Sequence, residues 1–267
     1  MKFLNREAAP ISQEMWGMID ENLMALLAKR LRLRSVVDFE EGYDFATDAV
    51  ATGNLRTVSE SDGVTIGVRE PILMAEVRHD FSIPKTALEA MKRDIEDFDD
   101  TPMREAANAF GAAENGMILE GLEALAMPGI LGALTQKTLQ AAGAKELMVA
   151  AAKSLGMFNG EFVDGPFKIL VSSATFAQLA VEAEAGETMK QKLENIFGAG
   201  ALVVTDAVGD DKAMVISQRG GDFVFYSGLD VHVGFESESA DALNFFLIES
   251  GAFRVINPEA AVRIDLS

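Results

Sequence analysis

The chain of 267 residues is 49% hydrophobic and 24% charged, a composition that builds a packed core and excludes intrinsic disorder. It has no cysteine and only two histidines, His79 and His232, which rules out disulfides, thiolate metal sites, a cysteine nucleophile and histidine-rich metal centres. Its 42 acidic residues against 23 basic ones leave a formal charge of −19, which repels nucleic-acid phosphates and anionic lipid heads.

The opening MKFLNREAAP has no apolar stretch of signal-peptide length. Nowhere do about 18 uncharged apolar residues run together, so the expectation is a cytoplasmic protein without a membrane or nucleic-acid partner. Residues 12–34 read as a helix. Trp16, Ile19, Leu23, Leu27 and Leu31 form one stripe, Ser12 caps the start, and Arg30, Arg32 and Arg34 suit the negative end of the helix dipole.

Residues 45–73 hold Gly53, Gly63 and Gly67 between short β-rich pieces and predict a long hairpin arm. Val77, His79, Phe81 and Ile83 alternate with Glu76, Arg78, Asp80 and Ser82, the pattern of a half-buried strand. Helices are expected at about 84–98 and 103–126, the second with Pro102 at its start, then at about 135–156 and, as one or two pieces, about 174–197. Strands return at 167–172, 201–205, 213–217, 222–226, 230–236, 243–249, 252–256 and 261–265. The whole is α+β, with parts that reach beyond one globule.

Chemistry-bearing motifs are missing. There is no GxGxxG, Walker loop, HExxH, EF-hand, Glu-x-x-His or GxSxG pattern. Ser82-Ile-Pro-Lys85 has SxxK spacing, but a lysine behind Pro84 belongs in the first turn of a helix. The run Glu96-Asp97-Phe98-Asp99-Asp100 offers carboxylate oxygens to a divalent cation and equally reads as a solvated helix end. The residues therefore predict no catalytic site, no metal and no cofactor.

Several segments together resemble the encapsulin shell proteins, also called linocin-like or encapsulating proteins for peroxidase. They are Phe3-Leu4-x-Arg6-x-x-Ala9-Pro10-Ile11-Ser12 with Trp16 and Ile19-Asp20, Val36-Val37-Asp38, Glu76-Val77-Arg78-x-x-Phe81 and Gly165-Pro166-Phe167. Ser217-Gln218-Arg219-Gly220-Gly221-Asp222-Phe223 with Gly228-x-Asp230-x-x-x-Gly234 is the most specific, and Val255-x-x-Pro258-Glu259-Ala260 closes the series. Two departures stand out. Glu40-Glu41-Gly42 lacks the family's proline, and Thr86 occupies the position where some members stack a flavin on tryptophan.

The resemblance implies a tailed-phage major-capsid-like fold. It would place the N-terminal helix and strand at 1–44, the extended arm at 45–72, a peripheral domain at 73–130 and 221–267, and an apical domain at 131–220. It implies a self-assembling icosahedral shell of 60 copies of the chain. The shell would enclose a cargo enzyme with a targeting peptide, either a dye-decolourising peroxidase or a ferritin-like iron oxidase. A secreted bacteriocin or a hydrolytic enzyme is the alternative.

On this reading Leu23, Leu27, Leu31 and Val36 line an inner groove for the cargo peptide, and Asp38, Asp230 and Glu249 hydrogen-bond it. Glu182, Glu184, Gly186, Glu187 and Thr188 fall in the loop around the five-fold axis. Glutamates repeated there would draw small cations through the shell.

Overall fold

The computed structural model describes residues 2–93 and 98–267. Helix α1 (Gln13–Arg30) starts where expected, with the Ser12 hydroxyl accepting the Met15 N–H at 3.2 Å. It stops four residues early, and Arg32–Ser35 continue as a 3-10 turn. After β1 (Asp38–Glu40) come the short β2 (Ala49–Val50), the arm strands β3 (Leu55–Ser61) and β4 (Val64–Arg69), and β5 (Ile72–Leu73). Strand β6 (Ala75–Pro84) shows the expected alternation, with Phe81 and Ile83 buried between exposed Glu76, Arg78, Asp80 and Ser82.

Lys85 opens α2 (Lys85–Lys92) directly behind Pro84, as its position implied. Of the acidic run, Glu96 and Asp97 lie outside the described residues. Asp99 and Asp100 serve the start of α3 (Thr101–Leu119): the Asp99 carboxylate accepts the Thr101 N–H at 3.0 Å, and Asp100 pairs with Arg104. The Thr101 hydrogen bonds hold the Asp99 carboxyl below its usual range. Helix α3 ends at Leu119 rather than 126, because the chain turns there into the short pair β7 (Gly121–Leu122) and β8 (Met127–Pro128).

A one-turn α4 (Ile130–Ala133) precedes β9 (Leu139–Ala141), which occupies the stretch expected to begin a long helix; that helix, α5, runs Ala144–Gly160. Then follow β10 (Phe167–Val171), α6 (Ser173–Val181), a small hairpin β11 (Ala183–Glu184) and β12 (Glu187–Thr188), α7 (Met189–Phe197), β13 (Leu202–Val204) and β14 (Lys212–Ser217). Four expected late strands are two long ones, β15 (Phe223–Glu238) and β16 (Ala242–Val255), and β17 (Ala261–Leu266) closes the series.

The chain contacts form two compact units. The first comprises Met1–Leu31, Glu40–Glu114 and Tyr226–Ala252. Its core gathers Trp16, Ile19, Leu23 and Leu27 of α1, Met91 of α2, Met103 and Phe110 of α3, Ile83 of β6, Val233 of β15 and Phe245 and Leu247 of β16. Aromatic contacts order this core: Trp16 meets Phe245 edge-on at 5.5 Å, and Phe81 stacks on the same ring at 5.8 Å. Each such ring buries on the order of 150–250 Å2, so Phe245 is the centre of gravity of the unit.

The second unit comprises Arg32–Phe39, Asn115–Phe225 and Phe253–Ser267. Its five-stranded sheet has the order β13-β10-β14-β17-β9, with α5 packed on β9 and β17 and α7 packed on α5 and α6. Residues 253–267 belong to this unit. The reason is pairing: Ala261–Asp265 run antiparallel to Lys212–Ile216 of β14, and Ile264–Leu266 run parallel to β9. An apolar interior strand, β10, with Ile169, Leu170 and Val171 fully buried, fits a sheet covered on both faces.

Candidate functional site

The residues singled out for peptide binding fall in both units: Leu23, Leu27, Leu31, Asp230 and Glu249 in the first, Val36 and Asp38 in the second. Leu23 and Leu27 are 0% and 1% exposed inside the first unit's core, and Glu249 is fully buried in β16 opposite Val77. None of the three presents a side chain to a peptide. For Leu23 and Leu27 the cause is plain: a leucine stripe at helical spacing serves the subunit's own core first. Leu31 is only half-buried and packs at the margin of the same core.

Val36 and Asp38 do border an opening, in the second unit. They line a cavity of about 210 Å3 with Pro166, Gln218 and Phe223. Two contacts build its wall: the Asp38 carboxylate accepts the Gly221 N–H at 2.6 Å, and the Gln218 amide donates to the Ser35 carbonyl at 2.5 Å. Beneath it Asp222, 2% exposed, takes both Nε and Nη2 of Arg219 and the side-chain amide of Asn257 at 2.7 Å. The most specific stretch of the resemblance is thus a rigid hydrogen-bonded frame.

Asp230 lies exposed on β15 in the first unit, with its carboxylate accepting the Val231 N–H at 2.7 Å. Nearby is a cavity of about 420 Å3 that the sequence did not announce, lined by Lys2, Leu4, Asn5, Arg6, Glu7 and His232. His232 is turned there by its Nδ1, 2.7 Å from the Asp230 carbonyl. Arg6 is fixed by its ion pair with Asp20 and by the Trp16 ring 4.0 Å from its guanidinium carbon. Short N-terminal segments carry no periodic pattern, so nothing in the sequence could have pointed to it.

The expected pore loop is a two-residue hairpin. Glu184 pairs with Glu187 across Ala185 and Gly186, which have φ of 57° and 86°. Positive φ at both turn positions matches the right-handed twist of the strands, and only Gly186 meets it without steric cost. Thr188 caps α7 by accepting the Gln191 N–H at 3.1 Å, and Glu182 follows the last turn of α6.

Glu184 is not a bare acid. Lys145 of α5 and Lys192 of α7 approach its two oxygens at 2.6 and 2.8 Å. Those two lysines hold its carboxyl at about 2 instead of the ordinary 4.5, and the hydrogen bond to Glu184 raises Lys145 in return. The tip therefore carries less negative charge than its sequence suggests, with Glu182 and Glu187 remaining as exposed carboxylates.

Elsewhere the reactive groups are occupied structurally. The Ser82 hydroxyl donates to Asn244 at 2.6 Å, and Lys85 pairs with Glu238 at 2.6 Å, so the SxxK spacing assembles no nucleophile and base. Among the described residues no group of three or more His, Asp or Glu is placed to hold a metal ion, and no helix is long and apolar enough to cross a membrane.

Comparison with known proteins adds the following. The family described as encapsulating protein for peroxidase matches residues 1–252. A type 1 encapsulin shell protein of Brevibacterium linens is 30% identical over 268 residues, covering all of both chains. One of Rhodospirillum rubrum is 31% identical, covering 98% of this chain and 96% of its own. Among solved structures, a virus-like particle from Pyrococcus furiosus aligns with TM-score 0.61 at 18% identity, over 91% of this chain and 98% of that one. The capsid of an empty GTA particle aligns with TM-score 0.55 at 14% identity, over 89% of this chain and 90% of that one. These neighbours establish the expected phage-capsid-like fold. Nothing in the comparisons supports a bacteriocin or a hydrolase.

Proposed function

The chain belongs to the encapsulating-protein-for-peroxidase family of type 1 encapsulin shell proteins, and from that premise we propose that about sixty copies close into an icosahedral shell around a cargo enzyme held by its targeting peptide. As a family member it is a self-assembling structural shell protein and not an enzyme. The observation that carries the proposal is the arm. Every residue of β3 and β4 is exposed, including Leu55, Val58, Val64, Ile66 and Val68. A lone two-stranded ribbon is marginal in water, and a row of valine and isoleucine on it finds burial only on another copy.

The family's description names a peroxidase, so a peroxidase is the cargo this reading favours, with a ferritin-like iron oxidase second. With Leu23, Leu27 and Glu249 buried, Asp230 is the exposed carboxylate of the first unit that this reading keeps for a targeting peptide. Micromolar binding at each of many identical sites suffices, because loading inside a closed shell is multivalent. Small cations would pass a five-fold opening rimmed by Glu182 and Glu187, whose pull weakens as salt rises.

Light scattering and native mass measurement of the purified protein test the assembly. A closed particle of roughly 1.7 MDa is expected from sixty chains of 28.7 kDa, and a stable monomer or dimer overturns the shell. Mass spectrometry of particles from the native host reads the cargo; a peroxidase with an extended terminal tail is expected. Exposed Asp230 gives the peptide test, since Asp230→Arg should leave particles intact and lower their cargo content. Unchanged content removes Asp230 from the site.

A further inference from the structure

We infer that Phe162 is a knob that seats in an apolar hole on a second copy of this chain, between the start of α1 and α2 of that copy. The inference rests on the shell reading above and identifies one of its subunit contacts. Phe162 follows α5 and is 88% exposed, the most exposed large hydrophobic side chain among the described residues. Its backbone has φ of 56°, a conformation that costs a bulky aromatic residue free energy and persists only where the surroundings impose it.

Those surroundings are visible. Arg219 Nη1 donates to the Phe162 carbonyl at 2.8 Å, the Val163 N–H donates to the Phe158 carbonyl at 2.9 Å, and Arg219 is itself locked on buried Asp222. The chain thus spends hydrogen bonds to hold an apolar ring out in water. A ring presented from a fixed frame loses little freedom on docking, which is how aromatic hot spots gain affinity.

The hole is in the first unit. Ile11, Met15, Leu88 and Leu243 line a cavity of about 320 Å3, which has room for a phenyl ring. Its rim carries Lys85 and Lys92 with Glu89 and Glu238; Lys85 is taken by Glu238, whereas Lys92 makes no ion pair among the described residues. Beside the knob stand two exposed acids, Glu161 and Asp164, so Lys92 meets an acidic flank when the ring enters. Knob and hole are different surfaces of one chain. Such a contact is heterologous, the type that repeats around a ring.

The absence of native cysteine makes the contact directly readable. In assembled particles carrying Phe162→Cys and Glu89→Cys together, a short thiol cross-linker should give a ladder of covalent multimers on a denaturing gel. Each single variant should give none. Phe162→Ala should keep the circular dichroism of the wild type and raise the protein concentration needed for assembly about tenfold or more, with Phe162→Trp restoring part of it.

The pairing is overturned by wild-type assembly of Phe162→Ala, by the absence of a ladder, or by a ladder that forms instead with Gln178→Cys, which lines a separate cavity of about 320 Å3 with Ala144 and Leu147 of α5 and Ala174 of α6. In those cases wild-type particles still stand as shells. Failure of the wild-type chain to assemble at all overturns the shell reading and this contact with it.

Discussion

Three antiparallel ribbons of this chain solve the problem of their unpaired faces in different ways. The β15–β16 ribbon is mostly buried, with β6 zipped along β16 from Ala75 opposite Gly251 to Pro84 opposite Ala242. The hairpin β11–β12 is exposed yet tied to α5 and α7 by Lys145 and Lys192 through Glu184. The arm β3–β4 has neither a core nor a comparable tie, and β4 lines up Val64, Ile66 and Val68 on one face. Turn chemistry and alternation are enough to write all three ribbons. Only burial and charge decide which of them is finished within one subunit.

The buried ribbon should be the most sensitive. Phe245→Ala leaves a cavity between Trp16, Phe81 and Phe235 and is expected to cost about 3–5 kcal/mol in urea unfolding of dissociated subunits. A cost near zero would mean that this ribbon is no better packed than the arm. Gly234→Ala should follow at about 1–3 kcal/mol, because a Cβ there would come within 2.1–2.6 Å of the Phe246 ring, which is itself buried.

The tethered hairpin should respond to acid rather than to truncation. A carboxyl whose folded value is depressed stabilises the fold above its unfolded value and loses that contribution as pH falls through the folded one. The tie should therefore be whole at pH 6 and loosen between about pH 4.5 and pH 2, with Glu184→Gln loosening it already at pH 6. An NMR titration of Glu184 in dissociated subunits checks this; an ordinary glutamate midpoint would dissolve the distinction between hairpin and arm.

The smallest effect on the subunit belongs to the arm. Ile66→Ser, at a site 56% exposed, should change unfolding of dissociated subunits by no more than about 0.5 kcal/mol. On the shell reading it should nevertheless impair particle formation in light scattering. Normal assembly with an unchanged subunit would show that the arm's apolar face is idle.

The sequence disclosed most where periodicity and punctuation agreed. The stripe of α1, the alternation of β6 and the glycine-marked arm all stand where they were expected. It misled where one residue has two uses. Ser227-Gly228-Leu229 looks like a break, but β15 runs straight through it; Gly228 is there because a Cβ would come within 2.8 Å of Met74 Cε and 2.9 Å of the Asp44 carbonyl. Leu23 and Leu27 carry the same spacing whether they line a groove or fill a core. Lys145 and Glu184 stand 39 positions apart, and no local pattern joins them. Burial and pairing of this kind rest on contacts the chain makes at a distance, which local spacing does not record.

The register of β6 against β16 carries a consequence for the birth of the subunit. Pro84 waits for Ala242, and β9 waits for Ile264 at the far edge of the other sheet. Contacts so distant along the chain close slowly, after the entropy of large loops has been spent. At roughly 5–20 residues per second, a ribosome exposes the arm many seconds before the strands that complete either sheet are made. On the shell reading, each subunit's arm is therefore made before the strands that finish the sheets of that same subunit.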